Sequence, residues 1–244
     1  MLGLPFSQAL AASDEIQVYM DEMDNPGDFG LDVHNNYVFS GNAVPGYPGA
    51  QPPDHVYRLT PEFSYGLTKN FELGAYVLTS RDANNTLNVN GAKLRLKYIA
   101  TKAENQAYFW GANLEVGSVA NRISQNPTGA ELKGIYGYRT GLWTFAVNQN
   151  IDWFVNGPVS MPATFEIDTK VAYKIRQDYS VGFESYNGMG SINGQVSTNQ
   201  QIQELFAVVD TSMDGWDLNF GIGRGFSTFS DKWVAKAIVG VPFQ

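Results

Sequence analysis

The chain of 244 residues contains no cysteine. That excludes disulfides, Cys-ligated zinc and thiol catalysis, and it suits passage through an oxidising compartment where stray thiols mispair. Charge is scarce too. Charged residues make up 16% of the chain, against about 25% in an ordinary soluble domain, as expected of an outer surface that meets lipid. No apolar run approaches the roughly 20 residues a helical membrane span needs. The mean hydropathy of -0.23 looks soluble, but a lipid-facing barrel alternates polar and apolar residues and escapes such averages. The formal net charge of -8 and the lack of a basic run argue against nucleic acid. His34 and His55 are the only histidines, so little material exists for histidine-based catalysis. No catalytic residue, metal site or cofactor is expected.

What the chain has is glycine, 25 residues of it, aromatics at 14%, and alternation. Its last strand pattern, Trp233-Val-Ala-Lys-Ala-Ile-Val-Gly-Val-Pro-Phe243, puts Trp233, Ala235, Ala237, Val239, Val241 and Phe243 on one face and Lys236 and Gly240 on the other. Similar patterns recur from Phe29 onward and predict about twelve strands, near 29–39, 57–67, 71–79, 89–99, 107–117, 130–139, 143–155, 164–175, 179–187, 202–213, 216–225 and 233–243. Each is long enough to cross a bilayer at a tilt. The connections alternate. Short ones fall at 68–70, 140–142, 176–178 and 214–215, with a somewhat longer link at 100–106, and long ones at 40–56, 80–88, 118–129, 156–163, 188–201 and 226–232. Outer-membrane barrels have short periplasmic turns and longer extracellular loops. The expected fold is a single all-β, antiparallel, up-and-down transmembrane barrel over 29–244.

Alternation alone does not say which face is inside. A lipocalin-like soluble barrel would enclose the apolar set and wet the charged one. The loop alternation, a strand count above eight and the aromatics favour the inverted arrangement. Phe71, Tyr98, Tyr108, Trp110, Tyr138, Trp143, Tyr173, Tyr179, Trp216 and Phe243 lie on apolar faces beside the short turns, as an interfacial girdle would. Tyr57, Trp153 and Trp233 belong to the opposite girdle.

The stretch Pro61-Glu-Phe-Ser-Tyr-Gly-Leu-Thr-Lys-Asn-Phe-Glu-Leu-Gly74 resembles the Tyr-Gly-Leu-Thr-Asp hairpin of Gram-negative outer-membrane proteins. It is most similar to channels of the phenol meta-pathway type, with Lys69-Asn70 in place of the commoner Asp. The closing strand is similar to that of bacterial outer-membrane barrels, with Gln244 added after the usual terminal Phe. The resemblance implies a barrel in the outer membrane and uptake of small molecules; it assigns no substrate. It implies outer-membrane lipid and lipopolysaccharide, the barrel-assembly machinery at the C-terminal strand, and small solutes as partners. The oligomeric state stays open.

Function is to be sought on the polar face. Basic residues concentrate on strands four and six, at Lys93, Arg95, Lys97, Lys133 and Arg139. Acidic ones come later, at Glu184, Glu204, Asp210 and Asp217. Strand four lies across a twelve-membered ring from strand ten, so a basic wall would face an acidic one and orient charged solutes. Arg58, Glu62, Glu72, Glu115, Glu166, Asp168, Lys170 and Lys236 complete the expected pore lining. The alternative is an occluded lumen, in which Arg58 pairs with Glu72 or Asp32, and Lys133 with Glu115. Glycines such as Gly74, Gly117, Gly137 and Gly221 on that face leave space and favour a pore.

The remaining candidates are weaker. His34, beside Asp32, reads as a hydrogen-bonded lumen histidine. Asp54 and His55, as neighbours on a strand, would point oppositely and fail as a protease pair, and no apolar-face histidine exists for a lipid hydrolase. Gly221-Ile-Gly-Arg-Gly225 lacks the helix a phosphate loop needs. The acidic Asp21, Glu22, Asp24 and Asp28 fit no EF-hand spacing and read as a solvated periplasmic segment. Ala9-Leu10-Ala11 matches a signal-peptidase pattern, so 1–12 read as a residual signal peptide with the mature start near Ala12 or Ser13. Residues 13–28 are left as a periplasmic segment, a short strand or a small plug. The Pro-rich 41–56 loop is either a partial lid or a disordered surface loop.

Overall fold

In the computed structural model, which describes residues 14–195 and 201–242, twelve antiparallel strands close on themselves. They are β1 (Phe29–Ser40), β2 (Tyr57–Gly66), β3 (Phe71–Arg81), β4 (Leu87–Ile99), β5 (Tyr108–Val119), β6 (Thr128–Thr140), β7 (Trp143–Asn156), β8 (Thr164–Arg176), β9 (Tyr179–Ser191), β10 (Ile202–Met213), β11 (Trp216–Gly225) and β12 (Trp233–Gly240). Each pairs with its sequence neighbour, and β1 pairs with β12, with Val33 opposite Val239 and Asn35 opposite Ala237. Closure satisfies every edge, which a bilayer demands because it offers no water to free N–H and C=O groups. A two-residue return, Gly194–Gln195, extends the β9 hairpin beyond the wall.

The turns follow from their residues. Asp214 and Gly215 take φ of 51° and 83°, the paired left-handed conformation of a two-residue hairpin that Asp-Gly adopts most readily. The expected last strand ran to 243. β12 ends at Gly240 instead, after which Val241 N–H still reaches Leu31 O at 2.8 Å. Pro242 has no N–H to continue the ladder. The expected girdle residue Phe243 and the signal-like 1–12 lie outside the described residues.

Each strand turns its apolar set outward. On β4, Leu94 is 67% exposed and Arg95 5%; on β9, Phe183 is 59% exposed and Glu184 1%. An inside-out distribution of this kind is stable only where the surroundings are hydrocarbon. Aromatic rings meet tilted or edge-on along the end of the short turns, with Phe71 and Tyr98 at 5.0 Å, Tyr98 and Trp110 at 5.9 Å, and Trp143 and Tyr173 at 4.9 Å between centroids. The charged faces therefore line the lumen, and the soluble-barrel alternative is excluded.

Candidate functional site

The lumen is occupied. Residues 14–27, which precede β1, run up inside the barrel as irregular chain, and Ile16, Val18 and Tyr19 are buried there against Val38, Ile99, Phe109, Ile135, Tyr186 and Phe206. Irregular backbone at membrane depth needs partners from the wall, and it has them. The Asn148 carboxamide clasps Tyr19, accepting from its N–H at 2.6 Å and donating to its carbonyl at 2.9 Å. Asn36 donates to Asp14 O, Lys236 to Ile16 O at 2.8 Å, and Lys97 to Glu22 O at 2.6 Å. These partners come from β1, β12, β4 and β7, so the segment crosses the lumen from wall to wall.

Tyr19 is its centre. The ring lies 4.3 Å from Lys133 Nζ, 5.4 Å from Lys97 Nζ and 5.7 Å from the Arg95 guanidinium, three cation–π contacts in a desolvated space. Its hydroxyl is 2.9 Å from that of Tyr76 and donates to Glu15 at 3.0 Å. Nearer the periplasm, Lys102 and Arg139 both donate to Asp21 at 2.5 Å, Arg139 also reaches Glu22 at 3.1 Å, and Glu72 accepts from Asp24 N–H at 2.7 Å. Burial would raise the Asp21 pKa, but the hydrogen bonds from Lys102 and Arg139 hold it below the ordinary carboxylate value. The acidic cluster read as solvated is thus tied to the barrel. Its sign was the available clue: acids at 21–24 complement bases at 97, 102 and 139.

The expected lining residues point inward. Arg58, Glu62, Glu72, Arg95, Lys97, Glu115, Lys133, Asp168, Lys170, Glu184 and Lys236 are buried; Lys93, Arg139, Glu166, Glu204 and Asp210 are partly so, and Asp217 is exposed. The basic and acidic walls exist in sequence, but several cations take carboxylates locally rather than facing an opposite wall, and Glu184 is shared by two of them. Arg95 pairs with Glu62 and Glu72, Lys93 with Glu115 at 3.8 Å and Glu15 at 4.0 Å, Lys170 with Glu184 at 3.0 Å and Asp210 at 2.8 Å, and Lys236 with Glu184. Local pairing is what a low-dielectric lumen requires.

Several expected pairings differ. Lys133 pairs with Glu131 on its own strand, at 3.1 Å, rather than with Glu115. Arg58, fully buried, has no hydrogen-bond partner among the described residues. Glu72 is held by Arg95, one strand further on, and so is not available to it. His34 is the hydrogen-bonded lumen histidine expected, with Nε2 3.0 Å from Glu62, diagonal to it on β2. The glycines do not leave space. Large neighbours fill it, Phe109 over Gly137, Phe206 over Gly223 and Arg95 over Gly74.

At the extracellular end the 41–56 loop leans over the β2–β5 side of the mouth. Tyr47 donates to Asn121 O at 2.7 Å, Gln51 N–H to Arg122 O at 2.8 Å, and Ser80 Oγ to Gln51 at 3.1 Å. Residues 53–56 form a turn rather than a strand, with His55 at φ 56°, so Asp54 and His55 come within 3.7 Å instead of pointing apart. Asp54 also accepts from Gly41 N–H at 2.9 Å, which ties the two ends of the loop together, and His55 meets the Tyr37 hydroxyl of β1 at 3.3 Å. An apolar concavity of about 1150 Å³ lies on the outer wall, with Ala207, Ala235 and Ala237 among its lining residues.

No protein family and no curated protein matches this chain. Solved structures do. The COG4313 outer membrane channel from Pseudomonas putida F1 is 11% identical, with a TM-score of 0.62 over 94% of this chain and 100% of that one. A KdgM porin is 11% identical at 0.59, and a NanC porin 16% identical at 0.58, each over 88% of this chain and 99% of its own. At such identities the likeness establishes the fold, a closed twelve-stranded barrel of the outer-membrane kind.

Proposed function

We propose that this chain is an outer-membrane channel for the passive passage of small polar or weakly charged solutes, held shut by its own residues 14–27. One observation carries the reading. Among the described residues, a charged, hydrogen-bonding lumen is filled by irregular chain attached through side chains and at its base, and not by a strand paired into the wall. Such a filling can leave without unmaking the barrel. The likeness to porins and a channel supports the same role. With the segment gone, Lys93, Arg95, Lys97 and Lys133 would line one side of the path and Glu184, Glu204, Asp210 and Asp217 the other. The site that holds the Tyr19 ring among three cations suits a small aromatic solute, which agrees with the phenol meta-pathway-type hairpin at 61–74.

A second reading, a permanently occluded barrel acting through its loops, is favoured by the depth at which Tyr19 is buried. Swelling of proteoliposomes separates the two. Asn148→Ala and Tyr19→Ala should admit small sugars and aromatic acids faster than the unaltered protein does. Equal, absent swelling from all three proteins, with insertion verified by protease protection, would favour the occluded barrel.

A further inference from the structure

The outer wall is not uniformly apolar. β4, β5, β11 and β12 present Leu, Val, Ala, Ile and aromatic side chains between the girdles. β7, β8 and β9 interrupt their apolar sets with Gln149, Thr169, Ser185 and Asn187. The ladder makes these four neighbours. Gln149 is opposite Ile167, Ile167 opposite Asn187, and Thr169 opposite Ser185. Their outward direction follows from the inward burial of Asn148, Asn150, Asp168, Lys170, Glu184 and Tyr186 on either side.

Gln149 lies between Trp143 and Trp153 of its own strand, so it falls inside the belt those rings bracket. Three of the four groups partly satisfy one another. Thr169 and Ser185 hydroxyls are 3.3 Å apart, and Asn187 donates to Ser185 at 2.7 Å and to Ile167 O at 3.3 Å. Gln149 is exposed, and its carboxamide has no hydrogen-bond partner among the described residues. Hydrocarbon offers none either, and an unpaired amide there is expensive.

We infer that the outward face of β7–β9 is an interface between two copies of this chain in the membrane. The occupant follows from the chemistry of the patch. Carboxamides and hydroxyls each carry a donor and an acceptor, so the patch is complementary to itself, which an interface with two-fold symmetry requires. Two copies inserted in the same orientation are related by an axis along the membrane normal. That axis sets Gln149 against the polar groups of the same face on its partner. An acyl chain would leave the amide unpaired.

Because the chain has no cysteine, Gln149→Cys and Thr169→Cys each carry a single thiol. In native outer membranes a short bismaleimide should convert either variant to a species of about twice the 26.9 kDa chain mass. Leu94→Cys, equally lipid-facing on β4, should stay monomeric. Absence of a dimer from both β7 and β8 variants, equal yields from all three, or a product whose mass requires a different protein would each overturn the inference. In a mild detergent Gln149→Leu should shift a dimeric mass to a monomeric one; a monomeric mass for the unaltered protein in lipid nanodiscs would also overturn it.

Discussion

The hydroxyl of Tyr19, in the segment before the first strand, lies 2.9 Å from the hydroxyl of Tyr76 on β3. The two residues are separated by a whole hairpin, and their contact places the N-terminal segment at the middle of the lumen. Around it the wall contributes cations to the ring and an amide to the backbone.

Loosening that contact should open the barrel before it unfolds it. Tyr19→Ala removes three cation–π contacts, each worth about 0.5–2 kcal/mol, while every wall strand keeps its two ladders. The expected result is a higher ion flux with an unchanged unfolding midpoint in lipid, checked on one preparation by planar-bilayer recording and by the gel shift on heating.

Asp21 makes the closure dependent on pH. Its pKa is held below that of a free carboxyl, so its contacts with Lys102 and Arg139 contribute fully above about pH 3.9. They are lost as pH falls through the lowered value. Flux should therefore stay low near neutrality and rise in acid below about pH 4. Asp21→Asn should show the raised flux already at pH 7. A variant as tight as the unaltered protein at every pH would show that this latch holds nothing.

Charge on the outer wall should block assembly. Leu94→Arg, Val171→Arg and Val239→Arg each cost about 2–4 kcal/mol near the midplane of a bilayer. Lys93→Met, one residue along β4 and facing inward, should insert normally. Folding into vesicles measures the difference, and normal folding of the arginine variants in detergent-free buffer would contradict the orientation of the wall.

The charge network on the far side is a stability element. Glu184 serves both Lys170 and Lys236, so Glu184→Gln leaves two buried cations short of a partner. Removing one member of a buried pair costs about 3–5 kcal/mol. Urea unfolding from vesicles should show a loss of that size, and Lys236→Met added to it should recover part.

The barrel was legible because its pattern is local. Alternation on β10 and β11 fixes both strands at 202–213 and 216–225 as the structure has them, and Asp214-Gly215 announces the turn between. The state of the lumen was not legible. Ile16-Gln-Val-Tyr19 alternates as a short strand would, and what makes it a filling is Asn148, distant in sequence by 129 residues. Lumen pairing failed for a similar reason. Arg95 on β4 reaches past β3 to Glu62 on β2, a choice set by reach and by the space over Gly74 rather than by order along the chain. The side chains of Asp54 and His55 come together because the left-handed φ of His55 makes a turn, and the opposed directions expected of strand neighbours do not apply there.

The central claim is that residues 14–27 close a channel that the barrel already contains. Single-channel conductance of the full chain and of a chain lacking residues up to 27, refolded into the same planar bilayer, tests it most directly. The account predicts a silent or nearly silent full chain and discrete openings from the shortened one. The ion selectivity of those openings should shift toward cations when Lys93→Glu and Arg95→Glu are added. Equal conductance from the two chains, or silence from a shortened chain proven to be inserted, would contradict it.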